Sequence, residues 1–299
     1  MGRDAFEASP AARAVFETAD EALGLSLSRI CFEGPEDDLR RTEIQQPALL
    51  TTSIALLRAF ESEAGAPLKP DFLGGHSLGE YSALVASGAM SFEDAVRTVH
   101  ARGRFMQEAV EEGRGAMSAI MGCGPEIVRE ACESVAAERG EIVAPANYNS
   151  PQQTVIAGEA SAVAAASDRA CDLGAKRVAA LNVSAPFHCA LMAPAAARLR
   201  VELERLTFGA IQPPVVTNVE AAPNGDSGRI VDLLERQVTA PVRFTEMVAC
   251  MKEAGVTRFL EVGAGRVLSG LLARIDRRGK RANLSCWGDF DDVREFLVS

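Results

Sequence analysis

Gly75-His76-Ser77-Leu78-Gly79 sits between Pro70-Asp71-Phe72-Leu73-Gly74 and Glu80-Tyr81-Ser82-Ala83-Leu84-Val85-Ala86-Ser87-Gly88. The central stretch fits G-x-S-x-G, the pattern of a nucleophile elbow. The stretch before it reads as a short buried strand. The stretch after it, entered through Leu78 and Gly79, reads as a helix that Gly88 ends. That strand, sharp turn and helix are the context the motif requires. The turn pushes the Ser77 side chain outward, and the glycines leave room for a tight backbone. The helix N-terminus adds free N–H groups and a positive dipole end where an oxyanion would form. Ser77 is therefore the candidate nucleophile. The plainer alternative is a glycine-rich turn that merely joins a strand to a helix.

Helical and strand patterns alternate on both sides of the elbow. Ser9 and Pro10 open a helix with Ala14, Val15, Ala19, Ala22 and Leu23 as its apolar stripe, and Gly24 ends it. Gln46-Pro47-Ala48 starts a second helix carrying Leu49, Leu50, Ile54, Leu57 and Phe60. Ser91, with Asp94 three residues later, opens a third as a near capping box, and Arg102 falls near its middle. Between residues 113 and 184 the pattern becomes strand, helix, strand, strand, helix, strand. The strands are read at 115–121, 142–146, 153–157 and 177–183, with helices at 125–139 and 161–173. This is the ferredoxin-like order. After residue 188 the alternation resumes, with helices at 192–205, 230–237, 244–254 and 267–275 and strands at 214–218 and 258–262. Residues 222–228 read as a surface loop. The expected fold is α/β, an α/β-hydrolase-like core with a mostly parallel sheet plus an inserted ferredoxin-like subdomain. Residues 1–112 and 185–299 would form the core and 113–184 the subdomain.

Composition narrows the function. Hydrophobic residues make up 47% and charged residues 24% of the 299, ordinary for a soluble globular enzyme. A net charge of −10 argues against general nucleic-acid binding and against an anionic membrane surface. No apolar run approaches membrane-spanning length, and the N-terminus has no signal core. Seven dispersed cysteines without C-x-x-C read as reduced thiols in a cytoplasm. With three histidines besides, no metal site is expected, and no cofactor is called for.

The longer string Gly75-His76-Ser77-Leu78-Gly79-Glu80-Tyr81-Ser82-Ala83-Leu84 resembles the malonyl-CoA:acyl carrier protein transacylase family. Further blocks follow in family order: Arg102-Gly103-Arg104-Phe105-Met106-Gln107, Asn147-Tyr148-Asn149-Ser150-Pro151, Val155-Ile156-Ala157-Gly158 and Ser184-Ala185-Pro186-Phe187-His188. Gln237-Val238-Thr239-Ala240-Pro241-Val242-Arg243-Phe244 and Glu261-Val262-Gly263-Ala264-Gly265 complete the set. The similarity runs from Asp4 to about Arg277.

A serine hydroxyl needs a positioned base. Side chains adjacent at an elbow point apart, so His76 suits a structural hydrogen bond better than that role. His100 lies in a helical run, where a surface or half-buried role is expected. His188 ends a stretch that re-enters the core. A lone histidine is usually a satisfied structural one, but elimination and the resemblance together favour His188 as the base. No acidic third member announces itself. The resemblance implies that Gln237 orients the histidine through its main-chain carbonyl. It also implies that the N–H of Leu78 helps hold the oxyanion, and it counts His76 and Asn147 with the substrate-binding residues. A helix-interior arginine is more often solvated or ion-paired. Its family block singles out Arg102 as the guanidinium for a malonyl carboxylate. In related acyltransferases Leu or Ile after the serine and Phe before the histidine go with malonyl. Leu78 and Phe187 occupy those places, and a bulky ring there would disfavour an added methyl by about 10–200-fold.

The resemblance thus implies ping-pong transfer of malonyl from malonyl-CoA, through a malonyl-serine, to the phosphopantetheine thiol of acyl carrier protein by a monomer. Arg277, Arg278, Lys280 and Arg281, or Lys176 and Arg177, could receive an acidic carrier or could be solvated surface. The family opens with a buried strand and a G-Q-G-x-Q loop that supplies a second oxyanion donor. This sequence opens at Met1-Gly2-Arg3-Asp4 and holds no such loop, through a misplaced start or a truncation. The expectation is a missing donor and strand, and weakened activity. Three other readings stay open. They are a stand-alone acyltransferase serving a polyketide synthase, a serine esterase or thioesterase, and a low-activity homologue that only binds acyl-CoA or carrier protein.

Overall fold

A computed structural model describes residues 1–183 and 185–298. Ser184 and Ser299, which close two of the expected ranges, lie outside the described residues. The chain is an α/β protein with helices and mixed sheets. Strands are numbered β1 (Leu73–Gly74), β2 (Gly115–Met121), β3 (Val143–Ser150), β4 (Gln153–Glu159), β5 (Arg177–Ala180), β6 (Val215–Val216), β7 (Pro223–Asn224), β8 (Arg258–Val262) and β9 (Lys280–Leu284).

The expected single, mostly parallel core sheet is divided into two. β1 pairs parallel with β6, β6 pairs antiparallel with β7, and β8 pairs parallel with β9. The residues read as a surface loop at 222–228 fold back tightly enough to return as β7, and so short a connection can only give an antiparallel neighbour. β1 is shorter and more exposed than the buried strand expected, with Leu73 half-buried and Gly74 exposed. Phe72 and Phe259 pack on one hydrophobic cluster, while Leu73, Leu260 and Val262 pack on another. β1 and β8 thus lie in one layer between the same two clusters, with alternate side chains sent to either side.

Helix Thr42–Ala64 is the central element of the larger cluster, burying Ala48, Leu50, Ile54, Ala55, Leu56, Ala59 and Phe60. It begins four residues before the expected start and carries Pro47 inside it. Pro47 has no N–H to give the Glu43 carbonyl four residues back. His100 Nδ1 takes that carbonyl instead, at 2.9 Å. The half-buried role expected for His100 is this repair. Helix Pro10–Leu23 is capped by Ser9 and ends at left-handed Gly24 as expected. Its buried face is Ala12, Phe16 and Ala19, so Ala14 is outside the stripe.

Residues 115–180 form an antiparallel sheet in the order β3-β4-β2-β5, with helices Pro125–Arg139 and Ala160–Asp172. Alternate residues face opposite ways. Ile120 and Ile156 meet the two helices, while Met117, Ala119, Val155 and Ala157 meet Cys189, Phe187 and Leu191. That second face carries the segment next to His188. β3 runs through Asn147, Tyr148 and Asn149, which the sequence reading left between two short strands. It does so because it finds partners on both edges: β4 on one side, and Val242 on the other through Tyr148 N–H (2.8 Å) and Val242 N–H (2.9 Å).

Candidate active site

The elbow forms as its sequence requires. A Cβ on Gly75 would lie 2.2 Å from the backbone of Gly79, so only glycine closes this turn. Ser77 has φ 52°, in the left-handed region that a non-glycine residue rarely adopts. Helix Gly79–Ala86 follows at once. The N–H of Leu78, at the N-cap of that helix, is engaged by no hydrogen bond among the described residues. It is free to meet an oxyanion formed at a carbonyl under attack by Ser77.

His188, 111 residues further along the chain, places Nε2 at 2.7 Å from Ser77 Oγ. Its own φ is 61°, so both members of the pair sit in sparsely populated backbone conformations. His188 Nδ1 donates to the main-chain carbonyl of Gln237 at 2.8 Å. That bond fixes the proton on Nδ1 and leaves Nε2 to accept the serine proton. The carbonyl is available because of local sequence. Gln237 lies near the end of helix Ile230–Thr239, and the residue four ahead is Pro241, which has no N–H. Pro241 also favours extended backbone before it, and Ala240 has ψ 156°. No acidic residue bonds to the ring among the described residues. Burial first, then the charge of Arg102, pull the His188 pKa down to about 3, so the ring is neutral near neutral pH.

Arg102 is 2% exposed. A Cβ on Gly103 would lie 2.5 Å from the Thr42 carbonyl, so this glycine lets the Phe92–Glu108 and Thr42–Ala64 helices touch through their backbones. That approach carries Arg102 to Gln46. Its guanidinium donates to Gln46 Oε1 at 2.6 Å, Ser77 Oγ at 3.0 Å and Gln237 Oε1 at 3.0 Å, all neutral acceptors. Arg102 Nε is buried without a partner among the described residues. Burial pulls its pKa down, yet a guanidinium stays charged, so the site holds a cation with no bonded anion. Such a cation is suited to a carboxylate brought in by a ligand.

The remaining expected residues occupy different stations. Phe187 is half-buried between the antiparallel sheet and the larger core cluster, next to His188. His76 Nε2 donates to Asn149 Oδ1 at 2.8 Å, the structural bond expected of it, and burial pulls its pKa down. The partner in that contact is Asn149, two residues beyond the expected Asn147. Asn147 is buried and is bridged through its backbone to Val242, with no side-chain hydrogen bond to Ser77, His188 or Arg102 among the described residues.

Three further residues line the site. Asn218 accepts from the Ser77 N–H at 2.6 Å and donates to the Gly75 carbonyl at 2.7 Å, bracketing the elbow. Gln46 meets Arg102. Glu80 is buried beside Gln237, and burial pushes its carboxyl up to about 7 against the hydrogen bonds from Gln237 and Asn218. Glu80 carried a signal, a buried charge in the first turn of a helix with no other charged residue. Asn218 and Gln46 carried none. Of the basic residues, Arg281 donates to the carbonyls of Asp276 and Gly279 in its own turn. No helix among the described residues is long and apolar enough to cross a membrane, and they contain no cluster fit to hold a metal.

Comparison with known proteins places the chain in a family. The acyl transferase domain family model matches residues 1–280. The malonyl CoA-acyl carrier protein transacylase of Bacillus subtilis is 47% identical over 285 residues, covering 95% of this chain and 89% of the relative. The protein of that name in Escherichia coli K12 is 47% identical over 266 residues, 89% of this chain and 85% of the relative. Among solved structures, the Coxiella burnetii malonyl CoA-acyl carrier protein transacylase superposes with a TM-score of 0.95 at 38% identity, covering 99% of this chain and 93% of that one. A malonyl-transacylase solved with its holo type II polyketide acyl-carrier protein gives a TM-score of 0.94 at 45% identity, covering 98% and 94%. With its serine–histidine pair and buried arginine set on this shared fold, the chain belongs to the acyl transferase domain family, among the malonyl CoA-acyl carrier protein transacylases.

Proposed function

We propose that this chain moves the malonyl group of malonyl-CoA to the phosphopantetheine thiol of acyl carrier protein, as its relatives' names describe. The observation that carries the reading is Arg102, a buried cation without a bonded anion, 3.0 Å from the nucleophilic oxygen. In this reading His188 Nε2 takes the Ser77 proton as Oγ attacks the thioester carbonyl. The Leu78 N–H holds the oxyanion, and the CoA thiolate leaves with that proton. The carrier thiol then gives its proton to His188 and attacks the malonyl-serine, and Ser77 recovers its proton as it departs. The Gln237 carbonyl keeps the imidazole in register. Arg102 holds the malonyl carboxylate, with Phe187, His76 and Asn147 around the acyl pocket.

The finer architecture fits the same reading. The strand order β3-β4-β2-β5 with two helices supports a ferredoxin-like subdomain over 113–184. The elbow and its parallel neighbour support an α/β-hydrolase-like core over 1–112 and 185–299. The scattered, unpaired cysteines support placement in the cytoplasm, with fatty-acid synthesis as the setting.

The test is to incubate the protein with malonyl-CoA, digest it and weigh the peptides, then add holo acyl carrier protein. The malonyl mass should appear on the Ser77 peptide and pass to the carrier. An adduct that persists in Ser77→Ala, or hydrolysis to free malonate without transfer, would overturn the assignment.

A further inference from the structure

Glu80 is a buried carboxylate with no part in the steps above. It is 2% exposed and lies one helical turn after Ser77. Its Oε2 accepts two hydrogen bonds, from Gln237 Nε2 at 2.7 Å and from the Asn218 N–H at 3.0 Å. Each donor belongs to a residue that also grips a reacting group. Gln237 receives His188 Nδ1 on its carbonyl and Arg102 on its side-chain oxygen, and its amide also donates to the Ser77 carbonyl at 3.0 Å. Asn218 brackets the elbow through the Ser77 N–H and the Gly75 carbonyl. One carboxylate oxygen therefore ties the elbow helix to the Ile230–Thr239 helix and to the turn after β6.

This tie bears on groups held in unfavourable conformations. Ser77 and His188 both have positive φ, at 52° and 61°. Such residues stay in place only where the surroundings over-determine them. Removing the shared acceptor takes a partner from two buried N–H donors at once, and a half-satisfied network loosens as a unit.

We propose that Glu80 is a positioning residue of the acyl-transfer site: its Oε2 holds Gln237 and Asn218, and through them keeps His188 and Ser77 in reactive register. The inference rests on the acyl-transfer reading above. Three substitutions separate reach from charge. Glu80→Gln keeps an acceptor oxygen at the same reach, Glu80→Asp keeps the ionisable carboxyl but withdraws its oxygen by one methylene, and Glu80→Ala removes both.

The experiment measures the labelling rate of Ser77 by a fluorophosphonate, beside single-turnover acylation of Ser77 by malonyl-CoA. Glu80→Ala and Glu80→Asp should slow both by about 10- to 100-fold, the scale of a small misplacement at a reacting centre. Glu80→Gln should stay within a few fold of wild type, and the KM for malonyl-CoA should hold in all three. A merely structural role would lower the melting temperature and leave labelling per folded molecule unchanged, which would overturn the proposal. So would a fast Glu80→Asp beside a slow Glu80→Gln, since charge would then be the requirement. If Glu80→Ala does not fold, the order of the other two decides. If wild type labels at Ser77 but carries no malonyl, the acyl-transfer reading fails, and the labelling rates still decide the positioning role.

Discussion

Arg102→Ala should convert a malonyl-selective site into one that prefers uncharged acyl groups. The guanidinium is 2% exposed, and its bonded partners are the neutral oxygens of Gln46, Ser77 and Gln237. Glu80 is close enough to act on it electrostatically but is not bonded to it. A malonyl carboxylate drawn into this site would therefore be held chiefly by Arg102. Breaking a buried charge pair by removing one partner costs about 3–5 kcal/mol, because the other charge is left without compensation. At about 1.4 kcal/mol per decade of rate, malonyl kcat/KM should fall by about two to four orders of magnitude. Acetyl-CoA has no carboxylate to strand, so its rate should move only through repacking, and the acetyl-to-malonyl ratio should rise by nearly the whole factor. Arg102→Lys keeps the charge without the planar fork and should fall between. The assay is single-turnover acylation of Ser77 by each thioester, read by intact mass, with the melting temperature as a control for the vacated volume. Loss of the Arg102 charge should also let the His188 pKa rise, since that charge is the second cause of its depression. An acetyl-to-malonyl ratio within a few fold of wild type in a folded Arg102→Ala would refute the reasoning and leave the guanidinium a structural role.

The rate of Ser77 acylation should stay flat down to pH 5, because the buried ring of His188 titrates near 3. A histidine at the ordinary 6.5 would have lost about 30-fold by then, and such a loss would contradict the burial argument. Stability has its own sign: the folded ring refuses a proton that the unfolded chain accepts, so stability falls as pH drops from about 6.5 toward 3. His188→Asn should therefore lose about 2 kcal/mol less than wild type between pH 6.5 and 5, read from denaturation midpoints. Glu80, raised to about 7, works the other way, holding a proton in the folded state and losing that stability as pH rises through 7. Phe187→Ala should raise methylmalonyl-CoA use relative to malonyl-CoA by about 10–200-fold, and an unchanged ratio in competition would remove Phe187 from the acyl pocket. Gly103→Ala puts a methyl 2.5 Å from the Thr42 carbonyl. It should cost about 1–3 kcal/mol of stability and weaken malonyl selectivity with it, since Arg102 rides on the displaced helix; a neutral melting curve would refute the close approach.

The elbow, the Ser9 and Ser91 caps, the ends of helix Pro125–Arg139 and the limits of β2 were all legible in the sequence. Each is settled by steric and hydrogen-bonding rules acting over a few residues. Spacing carried more than it first showed. Pro241 stands four residues after Gln237 as Pro47 stands four after Glu43, and in both cases the freed carbonyl receives a histidine Nδ1. Ser77, the candidate nucleophile, belongs to this local class, since its glycine and its helix are its neighbours.

Which distant segments meet is a matter of the folded chain. Asn218 reaches the elbow across 141 residues and Gln237 reaches Glu80 across 157, and nothing near either residue in sequence marks it for that contact. The extension of β3 through Asn147 and Asn149 likewise depends on Val242, and the antiparallel edge of the β1-β6-β7 sheet on the return of β7. Long-range contacts form wherever packing and buried hydrogen bonds together repay the entropy of closing long loops. A single chain written in order does not display that balance. Neighbouring residues alone set the tight turn that presents Ser77, the candidate nucleophile; folding brings up the carbonyl, amides and carboxylate that hold it.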